Sequence, residues 1–138
     1  MSETPLIVKP IGRVVSTLTD RSTAPRQGDE GAPDAWIEIA PDVADGMQNL
    51  RVGEAIIVLT WLDRARRDVL LVHPRRRVDQ PAVGVFSTRS PDRPNPIGLH
   101  QVTILEIDGR RLRVSGLEAL DGTPVADIKP LLGPICTR

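Results

Sequence analysis

Apolar residues in this chain recur mostly at every second position and rarely at helical spacing. Ala35 to Ile39 reads AWIEI, an alternation that predicts a half-buried strand. HQVTILEI, from His100 to Ile107, repeats the pattern. Val102, Ile104 and Ile107 are expected on its inner face, and His100 is left open to either side. Asp108-Gly109 follows as a hairpin turn, with Arg111 to Leu117 as the returning strand. GEAIIVLTWL, from Gly53 to Leu62, has the continuous apolar character of a buried strand. The charged turn Asp63–Asp68 and the run Val69–Val72 after it suggest a hairpin with that strand. LIVKPIGRVVSTL, from Leu6 to Leu18, predicts two short strands, or one bent strand interrupted at Pro10-Ile11-Gly12. A last strand is expected from Val125 to Leu132. Helical spacing occurs once: Val43, Met47 and Leu50 follow Asp42, which is placed to cap, while Gly46 weakens the segment. Short strands separated by Gly/Pro turns predict a mainly β fold, a small barrel or sandwich with one short helix.

Two stretches break the alternation and are dense in unusual residues. GVFSTRSPDRPNPIG, from Gly84 to Gly98, opens as a strand and then places Pro91, Pro94 and Pro96 close together. Prolines fix φ and remove N–H donors, so this segment is a rigid loop, neither helix nor central strand. It carries Arg89 and Arg93, whose guanidinium forks suit carboxylates and phosphates. A stiff loop loses little entropy when it binds an anion. A proline-rich turn with solvated arginines is the plainer alternative. The second stretch is LEALDGTPVADIKP, from Leu117 to Pro130. Asp121-Gly122 reads as a tight turn, with Asp121 either bonded to the Thr123 N–H or free for a ligand. Asp127 and Lys129 share a face and either pair in solvent or address a ligand. Between Asp20 and Pro33 lies a long polar loop without periodicity, containing Pro25-Arg26-Gln27.

Composition narrows the function. With 138 residues the chain fits one domain with a real core. Its formal net charge is zero, which argues against bulk attraction to nucleic acid. Six arginines between Arg64 and Arg77 leave a local phosphate-binding face open, against a solvated hairpin tip. One Phe, two Trp and no Tyr are too few for a base-stacking platform of the single-strand-binding kind. No apolar run reaches membrane-spanning length, no secretory signal is visible, and Cys136 is alone, so a cytoplasmic protein without membrane contact or internal disulfide is expected. His73, His100 and Cys136 are scattered, so no metal is expected. A triad of Ser87, His100 and Asp121 lacks a G-x-S-x-G elbow and is disfavoured. Neither phosphate-loop pattern occurs, and the helices of a Rossmann fold are missing.

Together, GVFSTRSPDRPNPIGLH, LDGTPVADIKP about twenty residues later, and the upstream Pro25-Arg26-Gln27 resemble the TrmO/TsaA-like family of S-adenosylmethionine-dependent methyltransferases. The resemblance runs from Ile11 to Leu132. It implies a single TsaA-like domain over residues 1–138: a small closed or partly open β-barrel that binds S-adenosyl-L-methionine without a Rossmann fold. It further implies a homodimer with the cofactor near the subunit contact. The implied activity is methylation of N6 of N6-threonylcarbamoyladenosine beside the anticodon of tRNA. The family's cofactor contacts carry over to Pro25, Arg26 and Gln27, to Asp63 and Arg64, to Arg89 and Leu99, and to Ala119, Leu120, Asp121 and Gly122. Arg26 or Arg89 suits the cofactor's carboxylate, and Asp121 its ammonium or ribose. Methyl transfer from a sulfonium is an in-line displacement that mainly needs positioning. No catalytic residue is assigned; Asp127 or water is the available base. Two departures stand out. Asp63 occupies a position where the family commonly has His, and the chain stops soon after I-K-P, where longer members carry a C-terminal extension. Methylation of another RNA or a small molecule, and a non-catalytic cofactor sensor, are the alternatives.

Overall fold

The computed structural model describes residues 4–19, 33–73 and 79–132. Among the described residues there are eight strands: β1 (Gly12–Val15), β2 (Ala35–Ile39), β3 (Ala55–Trp61), β4 (Leu71–Val72), β5 (Val83–Gly84), β6 (Ile97–Asp108), β7 (Arg111–Val114) and β8 (Pro124–Pro130). Six of them close into a barrel in the order β1-β2-β7-β6-β3-β8, and every pairing is antiparallel. Closure leaves the barrel without a free edge, which removes the usual route to edge-to-edge association. No helix among the described residues is long and apolar enough to cross a membrane.

Alternation builds the core. β2 sends Ala35, Ile37 and Ile39 inward, β3 sends Ile56, Val58 and Thr60, and β7 sends Leu112 and Val114. Each fully buried Val, Leu or Ile contributes roughly 1.5–3 kcal/mol of transfer free energy, so this interior is the main source of stability. Gly53–Leu62 differs from the expectation of a uniformly buried strand. β3 alternates, with Ile57, Leu59 and Trp61 half-buried on the outer face.

β6 is long because it serves two neighbours. It pairs with β3 from Ile97 to Thr103 and with β7 from Ile104 to Asp108, across an irregularity between Ile104 and Glu106. Beyond that irregularity Ile107 is 37% exposed, so of the three residues expected inside only Val102 and Ile104 are core. The hairpin between the β3 segment and Val69–Val72 does not form. Both edges of β3 are occupied by β6 and β8, and β4 instead pairs with β5 in a separate two-stranded ribbon. Near the start only Gly12–Val15 is a strand; residues 4–10 are exposed and outside the sheet.

The two ends of the barrel are covered differently. At the end where β2 finishes and β3 begins, residues 41–53 cross underneath. The predicted helix exists there as a 3₁₀ helix, Pro41–Met47, with Val43, Met47 and Leu50 packed on the core. Asp42 does not cap it; its carboxylate takes a hydrogen bond from Lys9 Nζ at 2.6 Å. At the opposite end, the irregular segment 115–123 runs from β7 to β8 and buries Leu117, Ala119, Leu120 and Thr123.

Candidate functional site

That second end is where the motif stretches meet. β1 and β3 finish there, and β6 and β8 begin. The proline loop and the charged turn after β3 are locked together. Leu62 N–H donates to Pro96 O at 2.8 Å, and Arg93 N–H to Arg66 O at 3.0 Å. Asp92 Oδ1 accepts from Arg66 N at 2.9 Å. Arg67 lies 5.1 Å from the Trp61 ring centroid and donates to Pro94 O and Asn95 Oδ1. Charged side chains that tie two loops this way hold backbone geometry and leave little for a ligand.

The arginines therefore divide by role. Arg93 donates to the carbonyls of Thr88 and Ser90, both at 3.0 Å, and also to that of Val85. Its fork is spent inside its own loop, so it is not the anion fork that its sequence context allows. Arg66 is answered by Asp68 at 3.1 and 3.0 Å. That hydrogen bond and the adjacent charge hold the Asp68 carboxyl below the usual carboxylate range. Arg89 is exposed and has no hydrogen bond or ion pair among the described residues. It is the guanidinium of the proline loop that remains for an anion.

On the other flank, Asp121 does not bond to the Thr123 N–H. Thr123 N–H donates to Leu120 O, and Asp121 Oδ1 accepts from Ser16 N at 3.0 Å. Asp121 N–H donates to Leu18 O at 2.6 Å, and Gly122 N–H to Val14 O at 2.7 Å. Gly122 makes the turn at φ 84°, a conformation that favours glycine. Arg64 Nη1 reaches the same strip of chain, donating to Thr19 O at 2.9 Å. Residues 16–19 thus bind the Asp121–Gly122 turn on one side and the Asp63–Arg64 turn on the other. Asp63 is exposed beside Arg64. Pro25, Arg26 and Gln27 lie outside the described residues.

Ala119 and Leu120 turn their side chains into the cap, so a ligand at the rim meets their backbone only. Leu99 points outward from β6, 48% exposed, beside Leu59 on β3. Asp127 and Lys129 pair with each other at 3.4 Å on the exposed side of β8. Ser87, His100 and Asp121 do not form a triad. His100 is 4% exposed inside the barrel, with Nδ1 2.6 Å from Glu118 Oε1 and Nε2 2.8 Å from Thr60 Oγ1. Alternation in phase with Val102 and Ile104 is the signal that places His100 inside. Glu118, in an irregular segment, carries no such signal. Among the described residues no group of three or more His, Cys, Asp or Glu is placed to hold a metal ion.

A closed six-stranded antiparallel barrel, with two proline-stiffened motif loops meeting at one rim, defines a small β-barrel class with a loop-built site. Within it the chain belongs to the family of the tRNA-methyltransferase O N-terminal domain, whose model matches residues 13–135. Similar proteins include an S-adenosyl-L-methionine-binding protein of Archaeoglobus fulgidus, 48% identical over 90% of this chain and 88% of its own length. A probable S-adenosyl-L-methionine-binding protein of Methanothermobacter thermautotrophicus is 47% identical over 94% of this chain and 93% of its own. A further probable S-adenosyl-L-methionine-binding protein of A. fulgidus is 50% identical, but the matched region is only 33% of that longer protein. Among solved structures, TrmO from Pseudomonas aeruginosa superposes with a TM-score of 0.72 at 30% identity, over 92% of this chain and 56% of that one. The chain therefore spans about a third of the longer archaeal relative and little more than half of TrmO.

Proposed function

We propose that the rim formed by residues 16–19, 63–64 and 119–122, with Arg89 on the adjoining loop, binds S-adenosyl-L-methionine, and that the protein is a methyltransferase acting on N6 of threonylcarbamoyladenosine in tRNA. The observation that carries the reading is the hydrogen-bonded convergence of the two turns on residues 16–19. The charges fit the cofactor. It carries one carboxylate, one ammonium and one sulfonium. The rim offers the guanidinium of Arg89, which has no partner among the described residues, and two exposed carboxylates, Asp63 and Asp121. When bound, the cofactor supplies an electrophilic methyl group. Arg89 holds its acidic end, and Asp121 takes the ammonium or a ribose hydroxyl through the oxygen that Ser16 leaves free. The backbone of Ala119–Gly122 meets the adenosine. A homodimer accords with Ile97 and Leu99, which stand half-exposed side by side on the outer face of β6.

Calorimetry with S-adenosylmethionine tests the site. Binding is expected, and Arg89→Ala should weaken it by about tenfold or more, the usual cost of losing a hydrogen bond to a charged group. Unchanged affinity in that variant removes Arg89 from the site. Transfer of labelled methyl to tRNA bearing threonylcarbamoyladenosine tests the reaction. A second reading, cofactor binding without this acceptor, is favoured by the relatives' names, which mention binding and no activity. Retained affinity with no transfer to that tRNA decides for it.

A further inference from the structure

The proline loop is short of donors for fixing its own position. Pro91, Pro94 and Pro96 have no N–H, so at those positions the backbone offers carbonyls only. Part of the need is met from within. The carbonyls of Thr88 and Ser90, on either side of Arg89, both accept from Arg93. Ser90 N donates to Thr88 Oγ1 at 3.1 Å, and Ser90 Oγ to Asp92 O at 3.3 Å. Residues 88–93 are therefore an internally bonded block, and Arg89 is carried on it. These bonds shape the block but do not fix its place relative to Asp63 and Arg64. That place is set by what joins the block to residues 62–67.

The hydrogen bonds from Leu62 N–H to Pro96 O and from Arg93 N–H to Arg66 O use backbone atoms alone. Asp92 and Arg67 add side-chain ties that run in opposite directions. Asp92 reaches from the loop to the turn and accepts from Arg66 N at 2.9 Å. Arg67 reaches from the turn to the loop. Its Nε donates to Pro94 O at 2.7 Å and its Nη2 to Asn95 Oδ1 at 3.0 Å. The same guanidinium lies 5.1 Å from the ring centroid of Trp61, the last residue of β3. Trp61 is paired with Ile97, the first residue of β6. One planar group thus touches the strand that enters the turn and the loop that leads into the next strand. A lysine has neither the plane nor the fork for this.

We propose that Arg67 and Asp92 are positioning residues of the cofactor rim, and that together they hold Arg89 in register with Asp63 and Arg64. This rests on the S-adenosylmethionine reading of the rim. Both residues act through the loops they join and not by contact with the cofactor. A ligand with an acidic and a cationic end needs its partners at one separation. A loop that drifts offers that separation part of the time, and apparent affinity falls by the same fraction.

Calorimetry with S-adenosylmethionine tests this in two backgrounds, the wild type and Arg89→Ala. In the wild type, Asp92→Ala and Arg67→Lys should each weaken binding about threefold, within the range for losing one hydrogen bond. The two together should weaken it about tenfold. Asp92→Asn should stay within about twofold, because an amide oxygen accepts the same bond from Arg66 N without the charge. In Arg89→Ala the same substitutions should change affinity by less than about twofold, since the group they place is gone. A purely structural role would give the same loss in both backgrounds, and that result overturns the proposal. Where the double variant does not fold, the single variants in the two backgrounds decide. A wild type that does not bind S-adenosylmethionine, or an Arg89→Ala that binds as well as the wild type, defeats the rim reading and this one together. Loss confined to Arg89→Ala, with Asp92→Ala and Arg67→Lys at wild-type affinity, defeats only this one.

Discussion

The two caps of the barrel do the same mechanical job with opposite chemistry. Under the β2–β3 end, the 3₁₀ helix presses Val43 and Met47 onto the core, the turn after it adds Leu50, and Asp42 faces water. Over the motif end, segment 115–123 also buries apolar side chains but is bolted to the interior by Glu118–His100–Thr60. Apolar packing is non-directional and tolerates small shifts; a hydrogen-bonded strut fixes direction. A surface that must present turns in one geometry to a ligand benefits from the second kind. A surface that only needs to exclude water is served by the first.

The comparison breaks most sharply at Gly98. Adding one methyl drives a Cβ into two buried side chains of the strut, Thr60 and His100. Gly98→Ala should lower stability by about 3 kcal/mol, at the upper end for overpacking a core. Gly84→Ala meets nothing within 4 Å and should stay within about 0.5 kcal/mol, as surface changes usually do. Urea unfolding of both variants reads the contrast. A Gly98→Ala midpoint equal to that of Gly84→Ala would show that the bolted cap is as compliant as the pressed one.

At the other cap the effect should be smaller and graded. Met47 is partly buried and unbranched, and its neighbours can close some of the space it leaves. Met47→Ala should cost about 1–2 kcal/mol, below the roughly 2–5 for a fully buried site. It should leave cofactor affinity within about twofold, since sites this far apart usually behave independently. Calorimetry beside urea unfolding checks both halves. A large loss of affinity would mean that the two caps communicate through the barrel.

This asymmetry bears on what a reader of the sequence can see. Alternation at 35–39, 100–104 and 111–114 is local, and it reveals the barrel strands and their inner faces. Spacing of Val43, Met47 and Leu50 reveals the pressed cap. The bolted cap escapes because its contacts join distant positions with no shared period: Glu118 to His100, Asp121 to Ser16, Arg66 to Asp92. The same applies to Arg89 and Arg93. Both are arginines of one proline-rich loop, and only the carbonyls around Arg93 separate it, a clamp, from Arg89, which has no partner among the described residues. The hairpin expected after β3 fails for a related reason. Sequence proximity favours it, but β6 and β8 bring longer partners to both edges of β3.

The smallest effect belongs to the pressed cap's outer ion pair. Lys9 Nζ lies 2.6 Å from Asp42 Oδ2, and both are solvent-exposed. Hydrogen bonding and charge from Lys9 hold the Asp42 carboxyl below its ordinary range, and Asp42 in turn raises Lys9. A lowered carboxyl contributes stability above its unfolded value, near pH 4, and loses it as pH falls through the folded one. A raised ammonium contributes below its unfolded value, near pH 10, and loses it as pH rises through the folded one. The pair therefore acts between those limits, weakened by water and salt. Lys9→Ala should lower the melting temperature by a barely measurable amount at neutral pH and low salt. That difference should vanish well below pH 4, where both chains lack the charge pair. A difference that persists in acid would mean that Lys9 holds residues 4–10 against the cap by packing of its stem, and that the pressed cap extends further along the chain than its helix.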